Sequence, residues 1–208
     1  MTTQHPGLVN VFDRPRDHQI KRDAVLRAAA NMFNKRGYAA TSLDEIAAQF
    51  NITKTSLYYY VGSKPVLLQK CYEVTLDYCD HAMEQVRGQE NSGLEKIVNY
   101  LRMIILEAPN RGPLAVVNEF HCLPDEARDE IHRRARKLDE NLLALIEEGI
   151  ADGSVAPVPT KIAELLLMGA LNWIWRWYEP DGPATSEEIA DCFVSLFIDG
   201  LRVGAEAR

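Results

Sequence analysis

Paired cysteines are missing from this chain. Its four, Cys71, Cys79, Cys122 and Cys192, are scattered through 208 residues with no Cys-x-x-Cys spacing. That excludes a disulfide scaffold or a zinc ribbon and predicts reduced, mostly buried thiols. Long apolar runs are missing too: no stretch approaches the roughly 18 residues of a membrane span. The opening MTTQHPG has neither the charged lead nor the apolar core of a signal peptide, so a cytoplasmic protein without a membrane partner is expected. There is no glycine-rich phosphate loop and no His-Glu-x-x-His. His121 and Cys122 are adjacent, but neighbours on an α-helix point about 100° apart, so adjacency does not make them a nucleophile–base pair. Asp77 and His81 stand at i, i+4, and two ligands are too few for a metal site. No cofactor, no metal and no enzymatic activity are expected.

What is present is charge, unevenly spread. The net charge is −7, which taken alone argues against a nucleic-acid partner. Residues 1–64, however, hold nine Lys/Arg against five Asp/Glu, a balance of +4, and the remainder carries −11. A basic head on an acidic body is an oriented electrostatic footprint, and it predicts salt-sensitive binding of a polyanion through the head.

Residues 41–64, TSLDEIAAQFNITKTSLYYYVGSK, read as two short helices joined by a tight turn. Ser42 with Glu45 is a capping box. Leu43, Ile46, Ala47 and Phe50 give one apolar stripe. Asn51 tolerates the left-handed backbone that a sharp turn needs, and Ile52 plugs the corner. Thr53 caps a second helix whose first turn carries Lys54, Thr55 and Ser56, with Leu57 facing inward. Upstream, Val25, Ala28, Ala29, Met32 and Phe33 form another stripe, closed by Gly37 as a left-handed cap. Together these helices make a helix-turn-helix, whose second helix lies in the major groove.

The pattern A-x3-F-x3-GY-x2-TS, then IA, then I-x4-LY-x-YV-x2-K is carried by Ala29, Phe33, Gly37, Tyr38, Thr41, Ser42, Ile46, Ala47, Ile52, Leu57, Tyr58, Tyr60, Val61 and Lys64. It resembles the tetracycline-repressor (TetR) family of bacterial regulators over roughly the first third of the chain. Asn51 replaces a common glycine of that pattern, and Thr55 a common small residue facing the groove. The second departure means that an operator sequence does not transfer from relatives.

Beyond the head the chain reads as all helix, giving an all-α protein of about nine helices: a loose arm at 1–17, a DNA-binding domain at 18–62 and a ligand-binding and dimerisation domain at 63–208. Helices are expected near 63–87, 92–107, 113–121, 125–151, 160–178 and 185–203, with breaks at Pro109, Gly112, Gly153, Pro157 and the EPDGP turn at 179–183. The helix from 160 is apolar nearly all round. Ile162, Leu165, Leu166, Gly169 and Trp173 make one face, and Ala163, Leu167, Ala170, Ile174 and Trp177 a second, so both sides must be covered. A second subunit is the economical cover, with Leu166, Gly169, Trp173, Phe193, Phe197, Gly200 and Leu201 at a homodimer interface. The resemblance implies the same, a four-helix interface with two helices from each subunit.

At the DNA, Lys54, Thr55 and Ser56 in the entering turn are the candidates for base edges. Thr41, Ser42, Thr53, Tyr58, Tyr60 and Lys64 are candidates for positioning on phosphates, and Tyr59 for either role. The resemblance further implies a small-molecule effector in the second domain. Residues 172–178, NWIWRWY, gather all three tryptophans around an arginine, which suits an apolar cavity with one anion-binding point. Trp173, Arg176 and Trp177 with Arg102, Met103, Asn118, Glu119, Phe120 and His121 are the candidate lining. Residues 172–190 resemble a subgroup governing fatty-acid, sterol or branched-chain breakdown, which implies an acyl-CoA effector. Such a ligand releases a repressor from its double-stranded operator by disturbing the spacing of two recognition helices. The alternative is an architectural DNA-binding protein with no effector.

Overall fold

Every apolar stripe of the head becomes a buried helix face in the computed structural model, which describes residues 14–107, 119–179 and 181–198. Helix α1 runs from Arg14 to Arg36. Residues 14–17, expected in a loose arm, are thus helical. Pro15 does not prevent this, because in the first turn its missing N–H costs no helix bond. Residues 1–13 lie outside the described part. Helix α1 buries Val25, Leu26, Ala29, Met32 and Phe33. It closes where the Gly37 N–H donates to the Phe33 carbonyl at 2.9 Å with φ +86.

Helix α2 spans Leu43–Gln49 and α3 spans Lys54–Val61. The capping box forms as expected: the Glu45 N–H donates to Ser42 Oγ at 3.1 Å, and the Ser42 N–H to Glu45 Oε2 at 2.8 Å. Asn51, at φ 52, is the one non-glycine residue with positive φ among the described residues, and it makes the corner between the two helices. The Thr53 hydroxyl accepts the Ser56 N–H at 3.1 Å and starts α3. Phe33, Ile46, Leu57 and Val61 are wholly buried where the three helices meet.

Helix α4 (Lys64–Arg87) is the strut of the molecule. It packs on α1 and α3, and further along on α5 (Gly93–Leu106) and α6 (Asp125–Asp152). After α6 come α7 (Thr160–Trp177) and α8 (Ser186–Phe193), the latter continuing as a π-helical turn, Val194–Ile198. Eight α-helices and no strand are found among the described residues. Of the short helix expected at 113–121, residues 113–118 lie outside the described part, and Phe120–Cys122 form a 3-10 turn. The last helix, expected unbroken to 203, leaves α geometry at Val194. Gly200 and Leu201 fall outside the described residues.

The body is held by close crossings and by ion pairs between helices. Helices α5 and α6 touch at Gly93 and Gly149, where a Cβ on Gly93 would sit 2.2 Å from the Gly149 nitrogen, so neither position admits a side chain. Arg134 of α6 bonds Asp77 at 2.8 Å and Asp80 at 2.6 Å on α4. Asp77 is therefore an ion-pair partner of Arg134, while His81 meets Gln85 at 2.9 Å. Cys71 and Cys79 are buried, and burial pushes both thiols up to about 12, which leaves them unreactive. No described helix is long and apolar enough to cross a membrane.

Candidate nucleic-acid interface

Helix α3 has a strict division of labour. Leu57 and Val61 anchor it, while Lys54, Thr55, Ser56, Tyr58 and Tyr59 face solvent. Tyr59 is 78% exposed, far more than an aromatic ring requires on a monomer without a partner. The ring of Tyr60 meets it edge-on at 5.7 Å and is half-buried against the core, so Tyr60 belongs partly to the fold. Lys54 Nζ holds Asp44 of α2 at 2.7 Å, and that bond raises the lysine pKa. An exposed ion pair of this kind exchanges readily for a phosphate or a base edge. Sequence reasoning did not find Asp44 as a neighbour, because the contact spans the turn.

The positioning residues divide. Ser42 and Thr53 are helix caps, so their hydroxyls are committed to Glu45 and Ser56. Their helix N-termini still present amides, which is how such elements meet phosphate. Thr41 is a correction. It is 1% exposed, and its hydroxyl donates to the Gly37 carbonyl at 3.0 Å. It fastens the α1–α2 loop and has no face toward a duplex. Lys64 sits 4.1 Å above the Tyr38 ring; partial burial lowers its pKa, against the opposing charges of Cys122, Glu119 and Glu45. Burial, aided by the charges of Cys122 and Glu119, raises the Tyr38 phenol. This Tyr38–Lys64 contact lies where head and body join, and the sequence pattern named both residues without pairing them.

In the body, α7 turns Ile162, Leu165, Leu166, Trp173 and Trp177 outward, the least exposed at 49%. Leu167, Leu171, Ile174 and Trp175 point inward. Gly169, on the outer face, has nothing within 4 Å of where a Cβ would stand. Leu196 and Phe197 are also exposed beyond α8. Phe193 is a second correction: it is buried, with Phe197 stacked on it at 4.9 Å, so it supports that surface from beneath.

The expected effector lining does not come together. Trp173, Arg176 and Trp177 lie on the outer face of α7, with the Arg176 guanidinium 5.6 Å from the Trp173 ring centre. Helical periodicity put them on one stripe, but the stripe faces away from the body. Arg102 is taken by Asp191 of α8. His121 is exposed on the 3-10 turn, 3.5 Å from Glu119. Only Met103 and Phe120 touch the interior. Phe120 is stacked on Tyr72 at 5.1 Å and lies 4.2 Å from the His132 ring, while the Met103 carbonyl accepts from the Tyr78 hydroxyl at 2.6 Å. Asn118 lies outside the described residues.

A helix-turn-helix with an outward recognition helix, mounted on an all-helical body, defines a DNA-binding regulatory protein. Comparison with known proteins narrows the class. The profile of the bacterial regulatory proteins of the tetR family matches residues 25–71. That of the tetracyclin repressor-like C-terminal domain matches residues 90–201. The chain belongs to the TetR family. It is 28% identical over 194 residues to the HTH-type transcriptional repressor KstR2 of Mycolicibacterium smegmatis, covering 91% of this chain and 94% of that protein. Among solved structures it is similar to PfmR of Thermus thermophilus, at 27% identity and TM-score 0.69, covering 86% of this chain and 98% of that one. It is also similar to AibR in complex with isovaleryl coenzyme A and operator DNA, at 29% identity and TM-score 0.66, covering 86% and 98%.

Proposed function

We propose that this chain is a homodimeric, sequence-specific repressor, released from its operator by a small molecule of the acyl-CoA class, and that it performs no catalysis. The observation that carries the DNA assignment is the outward face of α3. Lys54, Thr55, Ser56, Tyr58 and Tyr59 are all solvent-facing over a wholly buried Leu57. A helix with this chemistry has its complement in a phosphate backbone and base edges. The head ends at Gly62 and the effector domain begins at Ser63, the cap of the α4 strut.

Homodimerisation is supported by the apolar outer face of α7, since side chains as large as Trp173 and Trp177 rarely stand together in water on a monomer. The effector class is supported by AibR, which was solved with isovaleryl coenzyme A and operator DNA. The aromatic surface made by Phe120 with Tyr72 and His132 is where an acyl chain would pack. Such a ligand acts only through unequal affinity for two states of the dimer, with a coupling of roughly 1–3 kcal/mol. Helix α4 is the element able to carry that difference, because it packs on the head at one end and the body at the other.

The test starts with selection of a preferred sequence from random duplexes, followed by titration of that duplex complex with acyl-CoAs and the corresponding free acids. Release by a thioester at micromolar concentration, without release by free coenzyme A, is expected. Selection of no sequence would remove the operator assignment, and indifference to every thioester would remove the effector class alone.

A further inference from the structure

The 3-10 turn between α5 and α6 brings together three metal-ligating groups of different chemistry. The Glu119 carboxylate, the His121 imidazole and the Cys122 thiol have one donor atom each, all within 4.8 Å of one another. In a 3-10 turn residues i and i+3 eclipse, which stacks Glu119 over Cys122, and His121 Nε2 lies 3.5 Å from the Glu119 carboxylate. Glu119 and Cys122 would share a face in an α-helix as well, but His121 would point about 100° away from Cys122.

We infer that Glu119, His121 and Cys122 form a binding site for a borderline-soft divalent cation of the zinc type, placed at the junction of head and body. Thiolate with imidazole selects zinc-like ions over calcium or magnesium, which take oxygen donors. Three protein ligands leave a fourth position for water, as in open zinc sites. The donors must close by about 1 Å to meet the ion at the usual 2.0–2.3 Å. The His121 side chain is 76% exposed, so rotation of its ring meets no packed neighbour. Binding displaces the thiol proton of Cys122 to solvent as the metal–sulfur bond forms.

Two further observations fit this site. The Tyr72 hydroxyl is buried. It lies close to the Glu119 backbone, though burial is the larger cause of its raised pKa. A buried hydroxyl beside a ligand turn supplies the outer-shell bond that orients a metal-bound carboxylate or water. On the head side, Lys64 and Tyr38 lie within electrostatic range of both Glu119 and Cys122. The site therefore borders the residues that fasten the head to α4. It adjoins the surface given to the effector, sharing Tyr72 with it, and its test does not depend on that proposal.

The experiment uses the full chain, reduced and stripped with a chelator, titrated with Co²⁺ and then Zn²⁺ while absorbance is followed. One Co²⁺ per chain is expected, with a thiolate-to-cobalt charge-transfer band in the near ultraviolet that Zn²⁺ abolishes. Cys122→Ser should remove the band. His121→Ala should weaken Co²⁺ binding at least about tenfold. Cys192→Ser, which changes an exposed thiol outside the cluster, should leave the titration unaltered. Circular dichroism checks that each variant keeps its helix content, and any that does not is replaced by Glu119→Gln, which should also weaken binding. Absence of a saturable band, survival of the band in Cys122→Ser, or its loss in Cys192→Ser would overturn the assignment.

Discussion

Helices α3 and α7 each turn half of their surface outward, and the two halves could hardly differ more. On α3 the exposed side chains are hydroxyls, a lysine and two tyrosines. On α7 they are mainly isoleucine, leucines and tryptophans, with Lys161, Asn172 and Arg176 beside them. Water tolerates the first face at little cost. It penalises the second by roughly 25 cal/mol per Å² of apolar surface. A polar face waits for a polar ligand, while an apolar one must find cover for the molecule to remain soluble. On the proposed reading, the difference sends α3 to DNA and α7 to a second subunit.

Four expected outcomes bear on that contrast. The largest follows from charging the apolar face. Leu166→Glu with Trp173→Glu should convert a dimer into a helical monomer by sedimentation, because both residues are exposed in the single chain. Operator affinity should fall by about 10²–10⁴-fold as the two heads lose their linkage. A double variant that still sediments as the dimer would detach α7 from assembly. Next, Leu57→Ala removes the buried anchor beneath the recognition face and should cost about 2–5 kcal/mol in denaturant titration.

On the recognition face itself, Lys54→Ala with Thr55→Ala should weaken the selected operator by roughly 1–3 kcal/mol per lost base contact. Helix content and oligomeric state should not change. Unreduced affinity, measured by anisotropy, would move the reading surface elsewhere on the head.

The smallest effect concerns the start of α2. Ser42→Ala should destabilise the head by about 0.5–2 kcal/mol. The Ser42 backbone bond, then its hydroxyl, lowers the Glu45 pKa. A lowered carboxylate pKa stabilises the fold above the ordinary value and ceases to do so as pH falls through the depressed one. The wild type should therefore lose part of its stability between those two points, and Ser42→Ala should show a flatter acid limb.

The head was legible because its signals are local. Ser42 with Glu45, Asn51 at the corner and Gly37 at the end of α1 each act within four residues, and each is found in the expected role. The three-helix core follows from helical stripes whose polar sides leave no choice of orientation. The body was legible as helices but not as surfaces. Helix α7 is apolar on both sides, so periodicity separated Trp173 from Leu167 without telling which side faces water. That ambiguity sent Trp173, Arg176 and Trp177 to a cavity they do not line. The partner of Arg102 was missed for another reason: Asp191 lies far along the chain, and no local rule anticipates such a pair. Thr41 looked like a surface hydroxyl until the loop folded over it. The Glu119–His121–Cys122 cluster was missed because only the adjacent pair His121–Cys122 was weighed, while Glu119 joins them from the start of a 3-10 turn.

The central claim is that two copies of α3 read one duplex at a separation fixed by the paired bodies. Footprinting of the selected operator tests it most directly. The account predicts two protected patches in successive major grooves on one side of the duplex, with centres about 34–36 Å apart or a multiple of that spacing. A single protected patch, bound by one chain with undiminished affinity, would contradict it.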